Sequence, residues 1–381
     1  MNLVGNWSYP APFRFGAGRI AELGDACSSL GVRNPLLVTD RGLAKLPVVA
    51  AARAAAEGAG VPCAVFSEVD PNPSEANMLA GVAAFREGGH DGVVAFGGGS
   101  GIDLGKMVAL MHGQSRPVWD FEDVGDWWTR ADADAIAPVI AVPTTAGTGS
   151  EVGRAGVLTD VVRQVKKIIF HPRLMPGAVI CDPELTVGLP PAITAGTGMD
   201  AFAHCLEAYC SPHYHPMSQG IAVEGMRLVV ENLPRAHRDG SDIEARANMM
   251  SAAAMGAVAF QKGLGAIHAL SHPVGAAYGT HHGTTNAVVM QAVLRFNRPA
   301  IEGRIERLAA YLGVDGGFDA FCAMADGLRE SLGIPARLGE LGVETGAIPG
   351  LAAKAVEDPS VGGNPVPLDL ESLTRLYEDC I

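Results

Sequence analysis

Between about residues 30 and 180, nearly continuous apolar runs of strand length alternate with Ala-rich segments of helical length. No other feature constrains the fold as much. PLLVTD (35–40) leads to AAARAAAEGAG (50–60), VPCAVFSEV (61–69) to SEANMLAGVAAFREGG (74–89), and GVVAFGGGS begins at 92. A strand with no polar side has no face to offer to water, so it must be covered above and below. Strands joined through helix-length crossovers are parallel neighbours in one sheet. AIAPVIAVPTT (135–145) and AVICDP (178–183) read as later strands of the same layer.

After LTVGLPP (185–191) the β-like runs nearly vanish and helical segments such as TAGTGMDAFAHCLEAYC and MSQGIAVEGMRLVVENL take over. The fold class is therefore α/β plus all-α: a Rossmann-like parallel-sheet domain over 1–187 and a helical domain over 188–381. Two domains also suit 381 residues, since one core rarely grows past roughly 250 to 300 residues.

Asp and Glu number 41 against 28 Lys and Arg, a net charge of −13, and no basic run forms a polyphosphate groove. Nucleic acid is excluded as an expected partner. Seven cysteines at 27, 63, 181, 205, 210, 322 and 380 include no CxxC pair, and an odd, scattered set fits free thiols in the cytoplasm. MNLVGNWSYPAPFRFGAG lacks the basic-then-apolar order of an export signal, and no stretch reaches the apolar length of a membrane span.

Gly97, Gly98 and Gly99 follow a buried-strand pattern and precede a helix carrying Ser100, Asp103 and Lys106. Glycines there let the backbone approach a diphosphate, and the free amides of the first helical turn face it with the positive end of the helix dipole. VPTTAGTGSE, again just past an apolar run, offers Thr144, Thr145, Thr148 and Ser150 around Gly147 and Gly149. A helix cap needs one hydroxyl; four, on a flexible turn, suit a nucleotide crevice. Asp40 ends the first strand, where a carboxylate accepts from an adenosine ribose and repels a 2′-phosphate, which favours NAD over NADP. An ordinary turn aspartate is the rival reading.

Eight of the eleven histidines fall between 204 and 282. Asp200 and His204 are i,i+4 in GMDAFAHCLEAY, and His268 and His272 are i,i+4 in HALSHPVGA, so each pair shares a helical face. Ring nitrogens in such apolar surroundings need partners, and a metal ion supplies them. Asp200, His204, His268 and His282 offer one oxygen and three imidazoles, a set suited to Fe²⁺ or Zn²⁺ and poorly suited to Ca²⁺. Spacing alone does not choose 268 over 272, or 282 over 281. Pro273 is expected to end or bend its segment.

Taken together, GGGSGIDLGK (97–106), PTTAGTGSE (143–151), GMDAFAHCLEAY (198–209), HALSHPVGA (268–276) and HHGTTNAVV (281–289) resemble the iron-containing, metal-dependent alcohol dehydrogenase family, group III. The resemblance spans essentially the whole chain. It implies a dehydroquinate synthase-like architecture whose helical domain binds the metal through Asp200, His204, His268 and His282. The last is chosen because the family's ligand directly precedes the glycine of HGxxN. His268 and His272 become the candidate catalytic histidines, His272 as a nonligand that helps relay a proton. The resemblance also sets Gly98, Gly99 and Ser100 at the coenzyme diphosphate, Asp103 near the nicotinamide, Thr144, Thr145 and Thr148 along the adenine and ribose side, and Lys167 beside the coenzyme.

The activity so implied is hydride transfer between an alcohol and NAD(P), with an aldehyde or ketone as product and a homodimer or larger homo-oligomer as the working form. Iron is the expected metal, and the ligand set accepts zinc as well. Polyol, hydroxy-acid or sugar-acid oxidation is the alternative within the family. A metal-dependent lyase or synthase of related architecture needs a basic phosphate pocket, which the Lys-poor 198–286 region does not offer. A noncatalytic nucleotide- and metal-binding sensor is the alternative of another class. Trp119, Trp127 and Trp128 read as packing aromatics before substrate contacts.

Overall fold

An extended apolar run buried on both sides can satisfy its peptide groups only by pairing within a sheet, and here those runs form one. The structure, a computed structural model, describes residues 11–163 and 165–381; Gln164 and the first ten residues, which hold part of the expected signal-free N-terminus, lie outside the described residues. Strands β1 (Phe13–Phe15), β2 (Pro35–Asp40), β3 (Ala64–Val69), β4 (Gly92–Gly97) and β5 (Val139–Pro143) are followed by β6 (Ala155–Asp160), β7 (Val165–Phe170) and β8 (Ala178–Cys181). Six of them make a sheet in the order β1-β8-β5-β4-β2-β3, every pairing parallel. Every residue of β4 and β5 is buried, which is why their sequences lack polar alternation.

The crossovers are helices α1 (Leu23–Ser29), α2 (Pro47–Gly58), α3 (Glu75–Glu87) and α4 (Gly99–Met111). One side of the sheet packs Leu37, Phe96, Ile140 and Ile180 against Ala26 and Ala52. From β2 the chain first builds outward to β3 and then places β4 on the other flank of β2. The turns after β2 and β4 therefore diverge at the carboxyl edge of the sheet, the place where open parallel sheets form a ligand crevice.

Three strands escape the sequence pattern. β6 and β7 pair antiparallel as a separate hairpin, and β1 has only three residues. Lys166 and Lys167 interrupt the apolar run of β7, and a short edge strand carries too few residues to show a period.

The helical part comprises α5 (Pro191–Cys210), α6 (Pro216–Arg238), α7 (Ile243–Ala259), α8 (Ala266–Tyr278), α9 (His282–Tyr311), α10 (Gly317–Ser331), α11 (Ile348–Ala355) and α12 (Leu370–Cys380). Pro273 does not end its segment: α8 runs through it for another turn, with the proline lacking only its own N–H donor. The described residues divide into two compact units, one of 11–145 with Gly149–Gly188, the other of Leu189–Ile381 with Ala146–Thr148. No helix among the described residues is long and apolar enough to cross a membrane.

Helix α5 is buried along its whole length from Thr194 to Cys210, as expected of a helix apolar on all sides. Its last carbonyls are buried too and need donors. Lys262 Nζ donates to the carbonyls of Ala208, Tyr209 and Ser211 at 2.9, 2.9 and 2.8 Å, and Arg304 donates to Cys210 and Ser211 at 2.9 and 2.7 Å. Burial pushes the Lys262 ammonium down to about 7. Two cations thus cap the negative end of the helix dipole.

Glycine sets the approach of α4 to the sheet. A Cβ on Gly105 would lie 2.6 Å from the Cβ of Ala95 in β4, closer than packed carbons tolerate. Gly105→Ala is therefore expected to destabilise the protein by about 1–3 kcal/mol through overpacking. Denaturant unfolding checks it; an unchanged midpoint would show that helix and sheet separate freely.

Candidate metal centre

Residues four and seven apart on a helix share one face, so α5 aligns Asp200, His204 and Glu207 along a single buried stripe. Asp200 is 3% exposed and His268, arriving from α8, 1%. One ligand atom from each of Asp200, His204 and His268 lies within 4.8 Å of the other two. His282, the first residue of α9, brings a fourth donor and is the most open of the set.

Asp200 Oδ1 is 3.7, 3.8 and 3.5 Å from Nε2 of His204, His268 and His282. These distances are too long for hydrogen bonds. They match a shared ion better: ligands about 2.1 Å from a tetrahedral metal stand roughly 3.4 Å from one another. The donor set and its spacing fit a divalent transition metal.

The protonation preferences of His204 and Asp200 agree. Burial pushes the His204 imidazole down to about 4, leaving it neutral at pH 7 with a lone pair to give. Burial alone would raise the Asp200 carboxyl, yet the facing His204, His282 and His268 rings hold it below the ordinary carboxylate range. Burial also acts downward on His268, but the Glu207 and Asp200 carboxylates outweigh it and carry the ring up to about 9. A cation competes with that proton for Nε2.

Glu207 was not singled out by the sequence pattern, though its place seven residues after Asp200 on an apolar helix was the available signal. Its Oε2 is 2.5 Å from His268 Nδ1, and Oε1 accepts from the Ile267 amide at 2.7 Å. This carboxylate turns Nε2 of His268 toward Asp200 and fixes the ring, as outer carboxylates do for metal-binding histidines. Asn286 was also missed. Its Nδ2 donates to Asp200 Oδ1 at 2.9 Å, while its buried Oδ1 has no hydrogen-bond partner among the described residues.

The histidines left open by spacing go to different places. His268 and His282 face Asp200. His281 caps α9 by accepting from the Thr284 amide, and His215 caps α6 in the same way. His272 is held by Asp358, with Nδ1 2.8 Å from Oδ2. Glycine makes the convergence sterically feasible: a Cβ on Gly283 would fall 1.9 Å from the Gly196 carbonyl oxygen, so α9 can bring His282 to α5 only with glycine there.

The proposed coenzyme loops lie on adjacent strands. Gly97, with φ 147°, ends β4, and Gly98 precedes α4. The Thr144 amide donates to the Gly97 carbonyl at 2.9 Å, and a Cβ on Gly98 would stand 3.2 Å from the Thr145 side chain. Other candidates have internal partners. Ser100 Oγ donates to the Pro71 carbonyl at 2.5 Å. Asp103 accepts from Ser150 Oγ and from the Val157 amide, tying α4 to the hairpin. Asp40 Oδ1 accepts from the amides of Gly42 and Leu43, both at 2.8 Å, which is the turn role. Thr148 belongs with the stretch grouped with the helical unit.

Lys106, named with the first loop, is fully buried and donates to the carbonyls of Ser150, Gly153 and Ala155 at 2.5, 2.8 and 2.9 Å. It braces the second loop from beneath. Lys167 pairs with Glu122 at 2.7 Å and lies 5.6 Å from the Trp119 ring centre. Trp119 donates to Glu75, Arg130 covers Trp127, and Trp128 meets His171 edge-on. Each of these three tryptophans thus has a packing role.

A cavity of about 720 Å³ bordered by Arg295, Arg329, Arg337 and Arg375 holds none of the candidate ligands. Its arginines are largely committed to the protein itself: Arg329 to Asp326, Arg337 to the Asp379 carbonyl and Arg375 to Glu371.

Comparison with known proteins adds to this geometry. The family model "Iron-containing alcohol dehydrogenase" matches residues 10–183, and "Fe-containing alcohol dehydrogenase family, C-terminal" matches 194–381. The chain is 42% identical to a 4-hydroxybutyrate dehydrogenase of Cupriavidus necator, covering 95% of this chain and 96% of that one. It is 33% identical to an NAD-dependent methanol dehydrogenase of Bacillus methanolicus, over 99% and 100%. A solved 1,3-propanediol oxidoreductase superposes with a TM-score of 0.94 at 33% identity, over 99% and 100%.

Removing the brace on His268 tests the centre directly. Glu207→Ala is expected to lower affinity for Fe²⁺ or Zn²⁺ about 10- to 100-fold, measured by metal titration of chelator-stripped protein whose circular dichroism is unchanged. Undiminished affinity would place the metal elsewhere.

Proposed function

This chain belongs to the iron-containing alcohol dehydrogenase family, and from that premise we propose that it oxidises small primary alcohols to aldehydes reversibly, passing hydride to NAD in preference to NADP. The observation that carries the reading is the convergence of Asp200, His204, His268 and His282, with Asp200 Oδ1 3.5–3.8 Å from the three Nε2 atoms. These four side chains would hold the metal, iron first and zinc as an accepted substitute. A divalent cation bound there supplies a Lewis acid that eases loss of the alcohol proton and polarises the carbonyl in the reverse direction.

The protein's own groups do the rest. Glu207 and Asn286 orient His268 and Asp200. His272, stacked on His282 with ring centres 5.2 Å apart, stands beside the centre to help move the hydroxyl proton. The β4 and β5 turns, with Gly97, Gly98, Gly99, Ser100, Thr144, Thr145 and Thr148, would cradle the coenzyme, with free amides at the start of α4 facing its diphosphate. Asp103 and Ser150 shape that loop region through their mutual bond, and Lys167, paired with Glu122, would stand beside the coenzyme. Asp40, already ordered by its turn, would meet the adenosine ribose. The domain division at 187/188, the dehydroquinate synthase-like architecture, the cytoplasmic location and a homo-oligomeric working form belong to the same reading.

Substrate choice is supported by the relatives. 4-Hydroxybutyrate, methanol and 1,3-propanediol, named in the proteins this chain resembles, all carry a primary alcohol. The ω-hydroxy acid comes first, because that relative shares 42% identity.

Protein reconstituted anaerobically with Fe²⁺ and offered NAD(H) or NADP(H) with alcohols, diols, hydroxy acids and sugar acids tests the proposal at 340 nm. Turnover of a primary alcohol with NAD is expected, lost in His268→Ala while NAD still binds. Absence of turnover across the panel, with metal bound, would overturn it in favour of a sensor.

A further inference from the structure

A carboxylate that touches neither the candidate ligands nor the coenzyme loops is buried beside the metal centre. Asp358 has a side chain 10% exposed. It precedes the turn Pro359–Gly363 and its Oδ1 accepts from the Ser360 amide at 2.9 Å. Its Oδ2 lies 2.8 Å from His272 Nδ1. The turn is anchored at its far end as well: Asn364 Oδ1 accepts from the Ala266 amide at 3.1 Å, and Asn364 and Asn297 exchange side-chain amide bonds at 2.9 and 2.8 Å. One short stretch, 358–364, thus ties the start of α8 and a side chain two turns along it.

The chemistry of the pair settles which nitrogen carries hydrogen. A neutral imidazole has one donor and one acceptor nitrogen, and an ionised carboxylate only accepts. Oδ2 lies within hydrogen-bond distance of Nδ1 while Oδ1 accepts from the Ser360 amide, so both carboxylate oxygens face donors and Nδ1 is the donor. In the neutral ring Nε2 then keeps its lone pair. Among the described residues Nε2 has no hydrogen-bond partner. The ring is parallel to that of His282 within 13° and edge-on to that of His268, so the acceptor is held among the candidate ligands.

We propose that Asp358 is a positioning residue for the reaction: it locks the rotamer and tautomer of His272, so that Nε2 is presented as a hydrogen-bond acceptor to the substrate hydroxyl. The inference rests on the dehydrogenase reading above. Asp358 acts through His272 and touches no reacting atom. A purely structural tie between 358–364 and α8 would need the bond without caring which tautomer it selects.

The tautomer is observable without turnover. In ¹⁵N-histidine-labelled protein supplied with Zn²⁺, the His272 signals, assigned by their loss in His272→Ala, are expected to show the Nδ1–H tautomer. Asp358→Asn should shift them toward Nε2–H, because the amide can donate to Nδ1. In the iron-loaded enzyme the same variant should lower kcat about 10- to 100-fold with KM for the coenzyme unchanged. Asp358→Ala should add no further loss in a His272→Ala background. An Nε2–H tautomer in the unaltered protein, or losses that multiply, would overturn the proposal. Should the alanine variant not fold, the isosteric asparagine variant carries the comparison. Correct tautomers with no turnover of any alcohol would sink the dehydrogenase reading and leave the positioning geometry standing.

Discussion

Everything in the helical unit is arranged around the cost of burying a polar stripe inside α5. Asp200, His204 and Glu207 lie on a helix with no solvent-exposed face, and an unpaired carboxylate there is too costly to persist. Each neighbouring element supplies part of the remedy. α8 brings His268 and the Ile267 amide, and α9 brings His282 and Asn286. Lys262 and Arg304 close the helix end. Even so, three ring nitrogens face one carboxylate oxygen at distances that satisfy no hydrogen bond. A divalent cation would resolve that balance.

The sheet unit solves a different problem with similar means. Close backbone approach at the turn after β4 requires glycine, and the long turn after β5 needs support because its carbonyls have no strand partners. Lys106 provides it from below, buried and bonded to the Ser150 and Gly153 carbonyls of that turn and to the Ala155 carbonyl at the start of β6. Desolvation pushes its ammonium down to about 8, so the group stands near the limit of what burial permits for a charge. Asp103 and Ser150 add a second tie. The surface of these two turns therefore consists largely of backbone and small hydroxyls, with the charged groups placed underneath to hold its shape.

Several candidate side chains have partners within the protein itself. Asp40 orders its own turn, and Ser100 Oγ donates to the Pro71 carbonyl. The histidine-rich stretch is not a single chemical feature: His215 and His281 are helix caps, a role that any short acceptor side chain can fill. Glu207, Asn286 and Asp358 went unread because each acts through a contact 61, 86 or 86 residues away along the chain. No local spacing reports such a contact.

Periodicity and composition alone determined the parallel sheet, the switch to helices near 190, the glycine turns and the i,i+4 pairing of Asp200 with His204, because each is a local consequence of which side chains must avoid water. The choice of His268 over His272 and of His282 over His281 could be reached only by resemblance or by tertiary structure. The carboxylates that orient His268 and His272, and the hairpin that the lysines of β7 conceal, needed the tertiary structure. Those features depend on which helix faces which, and that is set by long-range packing such as Gly283 against Gly196, where the absence of one methyl group lets two distant segments meet.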